Sequence, residues 1–220
     1  MRFGLSILRL ISLPFPTWCP HLEFATNYWN SVLREGDSAV DATCGNGKDT
    51  QRIAKLLSGN GRLIALDIQK QAIEHTRAHL LQSLPQEQSH RVMLIQQSHV
   101  SFPIQTNHCN IKIVVYNLGY LPGGNKEFTT KVENTLISLE RASSLILPGG
   151  LISVMCYPGH PEGAKETRAL YSFGEELPKK TWLVLHHFYP QQPERPMLFI
   201  FRRSECSPKL VIGAPLSPLP

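Results

Sequence analysis

Short apolar runs alternate along the chain with longer stretches in which apolar residues recur at helical spacing. The runs predict strands at residues 39–43, 62–68, 92–98, 111–118, 151–157, 181–189 and 196–203. The helical spacing predicts helices at residues 21–34, from about 49, 70–81, 129–147 and 162–173, with loops at 82–90 and 101–110. This alternation predicts a Rossmann-like α/β fold, with helices on both faces of a mostly parallel, seven-stranded sheet. Because the last two strands follow each other without a helix, they predict a terminal antiparallel hairpin at the sheet edge.

The stretch from Ser38 to Thr50 is the most informative one. It predicts a strand, a turn with glycines at 45 and 47, and a helix whose free N–H groups point at whatever lies over the turn. Asp41 ends the strand, at the sheet edge where ligands of open α/β sheets bind.

Two phosphate-binding patterns fail in this stretch. Thr50 stands where the dinucleotide pattern needs its third glycine, and Asp49 follows Gly47-Lys48 where a Walker loop needs Ser or Thr. The stretch instead fits Asp-x-Gly-x-Gly-x-Gly, with Thr43 replacing one glycine, which is the first motif of class I S-adenosylmethionine (SAM) methyltransferases. SAM has a carboxylate that a helix N-terminus favours and an ammonium that Asp41 could bind. The alternative is an unrelated strand-turn-helix element.

Two later strand ends complete the predicted cofactor site. Asp67 lies at the end of the second strand, where an acid commonly binds ribose hydroxyls, although it could instead cap the next helix. Ser98 ends the third strand, where adenine would lie, or is simply a turn serine. The expected SAM contacts are Asp41, Thr43, Gly45, Asn46, Gly47, Asp49, Thr50, Asp67, Ile68, Gln69, Ser98, His99 and Asn117. No metal is expected, because His75 and His79 lack a carboxylate with zincin spacing.

The fourth predicted strand ends in Asn117-Leu-Gly-Tyr120, which is the second informative stretch. Amino-group methyltransferases hold their target at an Asn-x-x-aromatic in this place, usually with two prolines between, where this chain has Leu-Gly. The Asn117 oxygen can accept a hydrogen bond from an NH₂, and Tyr120 can wall the target. Residues 122–124 would form a loop over the pocket. A plain strand and turn remain the alternative. His160 is a candidate proton acceptor or an ordinary loop histidine.

Composition adds little to this picture. A chain of 220 residues with a net charge of +5 suits one α/β domain and is compatible with an acidic partner. Five cysteines without a Cys-x-x-Cys pair indicate reduced thiols. Since no apolar run could span a bilayer, we expect no membrane association and a cytoplasmic location. An organelle is the alternative if residues 1–20, expected to be an extension of a domain at 21–203, direct import. Residues 204–220 read as a disordered tail.

Five segments together carry a specific resemblance: residues 41–50, 67–69, 117–126, 157–163 and 193–196. They resemble the MnmM (YtqB-like) family over about residues 25–203. The resemblance implies a class I fold, SAM as cofactor, and methylation of 5-aminomethyl-2-thiouridine at the tRNA wobble position, giving 5-methylaminomethyl-2-thiouridine. The family usually has Asp where Asn125 stands, and both terminal extensions are additional.

The resemblance makes a tRNA anticodon loop the expected partner, and a homodimer one oligomeric state to test. The expected catalytic residues are Asn117, Tyr120 and His160, and the expected substrate contacts are Gly119, Leu121, Pro122, Gly123, Gly124, Lys126 and Arg195, with Lys131 and Arg202 as further RNA contacts. The alternatives are a methyltransferase for another amino group, on rRNA or a small molecule, and a non-catalytic RNA-binding protein. A nicotinamide dehydrogenase is disfavoured by Thr50 and the terminal hairpin.

Overall fold

The computed structural model describes residues 20–124 and 128–205. Its helices are α1 (Pro20–Val32), α2 (Lys48–Leu56), α3 (Lys70–Ser83), α4 (Gln86–Ser89), α5 (Val132–Leu145) and α6 (Pro161–Glu176), with a 3₁₀ helix at Ile104–His108. Its strands are β1 (Ser38–Asp41), β2 (Leu63–Asp67), β3 (Val92–Gln96), β4 (Ile111–Asn117), β5 (Leu151–Cys156), β6 (Trp182–His187) and β7 (Met197–Arg203).

The seven strands form one sheet in the order β3-β2-β1-β4-β5-β7-β6. The first five are parallel, and β7 is antiparallel to both of its neighbours, β5 and β6. The predicted α/β fold and its terminal hairpin are therefore confirmed. The last strand lies inside the sheet and β6 forms the edge, because the first five residues of β7 (197–201) are apolar and buried whereas β6 is half-exposed.

Helices cover both faces of the sheet, as predicted. Alternate strand residues point to opposite sides, as the pleat requires. One face packs on α1, α2 and α3, through Trp29, Ile53 and Leu80 among others. The other face packs on α5 and α6, through Leu139 and Leu170.

The sheet order creates a crevice between β1 and β4. The chain builds outward from β1 through β2 to β3, and then returns to place β4 on the other side of β1. The connections from β1 and β4 therefore leave the sheet in opposite directions, which is the switch point where open α/β sheets bind ligands.

The observed helices differ from the predicted ones in two loops and at several helix ends. The predicted loop 82–90 contains α4, because the Pro85 carbonyl accepts bonds from the N–H groups of Gln88 and Ser89. The predicted loop 101–110 contains the 3₁₀ helix. Helix α5 starts at Val132 rather than 129, since Thr130 pairs with Gly119 instead of joining the helix. Helix α6 runs on to Glu176.

Several predicted features lie outside the residues that the structure describes. The extension at 1–20 and the tail at 204–220 lie almost entirely outside the described residues, as do Asn125 and Lys126. Within the described ranges, no helix is both long and apolar enough to cross a membrane.

A buried hydrogen-bond chain connects the core to the sheet edge and yields a stability prediction. Ser138 Oγ donates to the His99 carbonyl oxygen at 2.6 Å, so its 2.8 Å bond to Tyr116 Oη must be donated by the tyrosine. Ser138→Ala leaves both buried groups without a partner, so we expect unfolding free energy to fall by about 1–3 kcal/mol. Tyr116→Phe removes one donor and leaves the Ser138–His99 bond intact, so the fall in its unfolding free energy should be smaller. Urea denaturation of the two variants checks this order, and equal losses would contradict it.

Candidate active site

A cavity of about 850 Å³ opens at the carboxyl edge of the sheet, over the crevice between β1 and β4. Its walls come from the segments that follow β1, β2, β3, β4 and β5, together with residues 128–130, Asn134 and Glu194. The turn that follows β1 and the end of β4 at Asn117 therefore line one cavity.

Asn117 is held at two points. Its backbone N–H donates to Thr43 Oγ1 at 2.7 Å, which joins the ends of β4 and β1. Its side-chain Nδ2 donates to Asp49 Oδ2 at 3.0 Å, while the other Asp49 oxygen accepts from Arg52 at 2.6 Å. Because the amide nitrogen is engaged by Asp49, the Asn117 Oδ1 atom is left as the acceptor on the side chain.

The turn after β1 needs its glycines for two reasons. Gly45 and Gly47 have φ of 51° and 78°, in the left-handed region that favours glycine. A Cβ at Gly47 would also lie 3.0 Å from the Thr76 Cα of α3. The hydroxyl of Thr76 donates to the Gly45 carbonyl at 2.9 Å, which fixes the turn against α3. The turn therefore delivers the start of α2, with its free N–H groups, to the cavity.

Asp67 lies at the end of β2, as predicted, and lines the cavity. Its Oδ2 accepts from the Gly45 N–H at 3.1 Å and its Oδ1 from the Gln69 N–H at 2.9 Å. Burial raises the pKa of Asp67, while these backbone bonds oppose that rise. Each carboxylate oxygen keeps a further lone pair that can accept from a ligand hydroxyl.

The segments that follow β2 and β3 supply the neighbouring wall. Ile68, Gln69, Ser98 and His99 all line the cavity. Burial lowers the pKa of His99 to about 4, so its imidazole is neutral at pH 7. These residues together form a partly apolar, uncharged surface next to Asp67.

Three of the expected SAM contacts lie behind the wall: Asp41, Gly47 and Thr50. Asp41 is only 1% exposed, and its two oxygens accept from the Thr50 hydroxyl at 2.6 Å and the Thr43 N–H at 3.2 Å. The structure thus does not bring Asp41 to the cavity, as a direct contact with a ligand ammonium would require. Asp41 instead stabilises the turn from inside the protein, because its buried carboxylate accepts hydrogen bonds from Thr43 and Thr50 on either side of the turn.

The loop after β4 forms the opposite wall. The Gly119 N–H donates to Thr130 Oγ1 at 2.8 Å, and the Thr130 N–H donates to the Gly119 carbonyl at 2.9 Å. The cavity is lined by Gly119, Tyr120, Leu121, Pro122 and Gly123.

Two expected substrate contacts lie away from this cavity. The Gly124 N–H bonds back to the Leu121 carbonyl, which takes Gly124 out of the lining. Arg195 lies over the Tyr189 ring, 5.3 Å from its centroid, and is not a lining residue.

His160 lines the cavity but is engaged in the fold. It is the N-cap of α6, and its Nδ1 accepts from the Gly163 N–H at 3.1 Å. That nitrogen's lone pair is therefore occupied, and protonating it would cost the helix cap. The geometry does not favour the expected role of His160 as a proton acceptor. Its ring lies 6.3 Å from that of Tyr120.

Sequence reasoning missed several wall residues, including Lys48, Gln97, Phe128, Asn134 and Glu194. Glu194 could have been found from the sequence, since it belongs to one of the segments that carry the family resemblance. In the described lining, the carboxylates of Asp49, Asp67 and Glu194 outnumber Lys48, and Arg52, which pairs with Asp49 from outside the lining, still leaves one carboxylate in excess. This excess of carboxylates favours a cationic ligand. No group of three His, Cys, Asp or Glu side chains in the described residues is arranged to hold a metal.

Comparison with known proteins gives one consistent result. The model of the family described as "Putative rRNA methylase" matches residues 63–203. The tRNA (mnm⁵s²U34)-methyltransferase of Arabidopsis thaliana chloroplasts is 38% identical, with 82% of this chain and 69% of the relative covered.

Solved structures agree with the family match. A "putative rRNA-methylase" from Clostridium thermocellum is 33% identical with a TM-score of 0.75, covering 83% of this chain and 97% of that one. A "putative methyltransferase" from Streptococcus mutans, solved with S-adenosylhomocysteine, is 27% identical with a TM-score of 0.69 and the same coverage. The fold is therefore that of class I SAM methyltransferases, as predicted.

Asp41 generates a prediction about pH. Burial raises the pKa of Asp41 to about 7, with the charges of Asp49 and Asp67 adding to the rise. A carboxyl whose pKa is raised on folding stabilises the fold below its unfolded pKa, and this contribution is lost as pH rises to the folded pKa. We therefore expect wild-type stability to fall relative to Asp41→Asn from about pH 4 to about pH 7 and then level off. Urea titrations of both proteins across this range check it. A constant difference would contradict it.

Proposed function

The chain belongs to the family described as "Putative rRNA methylase", and from that premise we propose that it is a SAM-dependent tRNA methyltransferase. Its proposed reaction converts 5-aminomethyl-2-thiouridine at the wobble position into 5-methylaminomethyl-2-thiouridine. One observation carries the proposal: the Asn117 amide is fixed by Asp49 in the same cavity as the glycine turn. The 38% identical relative, which carries this activity in its name, supports the substrate.

The donor side of the cavity fits SAM. The N–H groups at the start of α2 suit its carboxylate, and Asp67 can accept hydrogen bonds from its ribose hydroxyls. Ile68, Ser98 and His99 offer a largely neutral surface for its adenine. The S-adenosylhomocysteine bound in the 27% identical Streptococcus mutans structure supports the same assignment.

The acceptor side fits a primary amine. The Asn117 Oδ1 accepts a hydrogen bond from the amine and so orients the nitrogen lone pair towards the donor. Tyr120, which lines the cavity and is 42% exposed, forms one wall for the nucleobase. The carboxylate excess in the lining attracts the alkylammonium form from solution.

SAM, when bound, supplies an electrophilic methyl group on a sulfonium. The amine nitrogen attacks this methyl in line, so a nitrogen–carbon bond forms as the carbon–sulfur bond breaks, and the ammonium proton is lost. The protein contributes mainly position and exclusion of water. Asp49, held by Arg52, fixes the Asn117 amide rather than receiving the proton, which is lost to solvent.

The wider context is proposed on the same basis. Residues 21–203 carry the methyltransferase domain, and the partner is a tRNA anticodon loop. A cytoplasmic location is the first proposal. An organelle is the alternative, which the chloroplast name of the plant relative favours.

A second candidate is methylation of an rRNA amino group, which the family description favours. The Asn117 arrangement does not separate these substrates, because it reads an amine rather than the surrounding RNA. Purified enzyme supplied with defined tRNA or rRNA transcripts discriminates between them.

Loss of the protein should change the wobble nucleoside of its tRNA substrates. In cells that lack the protein, we expect 5-aminomethyl-2-thiouridine to accumulate in tRNA and its methylated form to disappear. Nucleoside mass spectrometry measures both, and adding purified enzyme with SAM should reverse the change. An unaltered wobble nucleoside would overturn the substrate assignment.

Substitution of Asn117 tests whether this residue positions the reacting amine. Asn117→Ala should lower kcat by about 100-fold, since misplacing the reacting nitrogen loses alignment with the methyl, while SAM still binds. Asn27→Ala, at an exposed position of α1, is the matched control and should behave as wild type. Single-turnover methylation and SAM titration are the measurements. Wild-type kcat in Asn117→Ala would remove Asn117 from the mechanism.

A further inference from the structure

An aromatic cluster lies outside the main cavity, where α1 meets the end of the edge strand β6. It consists of Phe24, His186, His187, Phe188 and Tyr189, with buried His21 beside them, and is called the edge patch below. These six residues line a second cavity of about 220 Å³. Pockets for drug-sized ligands have roughly 300–1,000 Å³, so this one suits a single ring of a larger ligand.

The edge patch presents flat rings to solvent. Phe24 is 44% and Phe188 is 47% exposed. The Phe24 ring stacks on His187 with centroids 5.0 Å apart and an interplanar angle of 22°. His187 also bonds to the Tyr28 hydroxyl at 3.0 Å, which holds its ring in place. Exposed, fixed, planar side chains are the surfaces on which unpaired nucleobases stack.

The segment between β6 and β7 links the edge patch to the main cavity. The pKa of His21 is lowered first by burial and then by the Arg195 charge, while the Asp49 carboxylate opposes this lowering. Arg195 is exposed and covers the Tyr189 ring of the patch. Its neighbour Glu194 lines the main cavity. A ligand that spans both sites would therefore follow the segment between β6 and β7.

We propose that the edge patch stacks unpaired bases of the RNA loop that flank the target nucleotide, with Arg195 contacting the backbone phosphate between them. This proposal deepens the proposed function and rests on it. An RNA loop combines the planar rings that the patch matches with the negative charge that Arg195 attracts. A second copy of the chain fits less well, because standard interfaces use about 20–30 residues a side, and the patch has six.

The test uses the full-length protein and a synthetic anticodon stem-loop with 5-aminomethyl-2-thiouridine at the wobble position. We expect Phe24→Ala and Phe188→Ala each to raise the stem-loop Kd by about tenfold, the loss typical of one stacked base. Phe24→Tyr keeps the ring and should bind as wild type. Leu81→Ala, at a 69% exposed position of α3 outside both cavities, is the control for loss of an exposed apolar side chain. SAM affinity reports folding and should be unchanged in all four.

A second probe, in which the loop nucleotides beside the target are abasic, identifies the stacking partner. Wild type and Phe24→Ala should bind this probe equally. Equal affinities of the two proteins for the intact stem-loop would overturn the proposal. It would also be overturned if the two alanine variants change the sedimentation coefficient rather than RNA affinity, which would indicate an interface between copies.

The outcome separates this proposal from the proposed function. Wild-type methylation of the stem-loop with no effect of Phe24→Ala defeats the edge patch alone. Stem-loop binding without methylation defeats the proposed function, and the Kd comparison still decides the edge patch. Absence of stem-loop binding by the wild type defeats both.

Discussion

The hydrogen bond from the Asn117 N–H to Thr43 Oγ1 joins the two strands on which the site depends. Backbone pairing between β1 and β4 ends with the bond from the Ala42 N–H to the Val115 carbonyl, and beyond it the two connections leave in opposite directions at the switch point. The threonine hydroxyl spans this gap at 2.7 Å. Thr43 stands where the SAM motif usually has glycine, and the structure gives that departure a reason. A glycine could not bring the donor turn and the acceptor loop together in this way.

Beneath this bond, three carboxylates converge on the glycine turn. Asp41 is fully buried, and the charges of Asp49 and Asp67 both raise its pKa, after the larger effect of burial. Like charges placed this closely disfavour full ionisation of the group. A cationic ligand in the cavity reduces the repulsion, so both a sulfonium donor and an ammonium acceptor are favoured by the same charges. The site is therefore matched to charge as well as to shape.

The fold was readable from the sequence because its signals are local. Strand β4 is a run of β-branched and aromatic residues, and the ends of most predicted elements fall within a few residues of those observed. The position of β7 inside the sheet depends on pairing with distant β5, which no local pattern encodes. The same limit applies to the site. Asp41 and Asp49 are both acids of the motif, but only the packing of Thr50 decides that Asp41 is buried and Asp49 faces Asn117. His160 could likewise be identified as a helix cap only once the bond from Gly163 was known.

The acceptor loop shows how a changed motif can keep its rigidity. Related amino-group methyltransferases restrict this loop with two prolines, whereas Leu118-Gly119 here would be flexible on its own. Gly119 takes a φ of 115°, and both its N–H and its carbonyl pair with Thr130. Behind Thr130 lies Glu166, which is 1% exposed and accepts from the Thr135 hydroxyl at 3.0 Å. Burial raises the pKa of Glu166, and bonds from Thr130 and Thr135 oppose this rise. Tertiary hydrogen bonds thus supply the restraint that proline rings supply elsewhere, which is why the loss of both prolines is compatible with a defined position for Asn117.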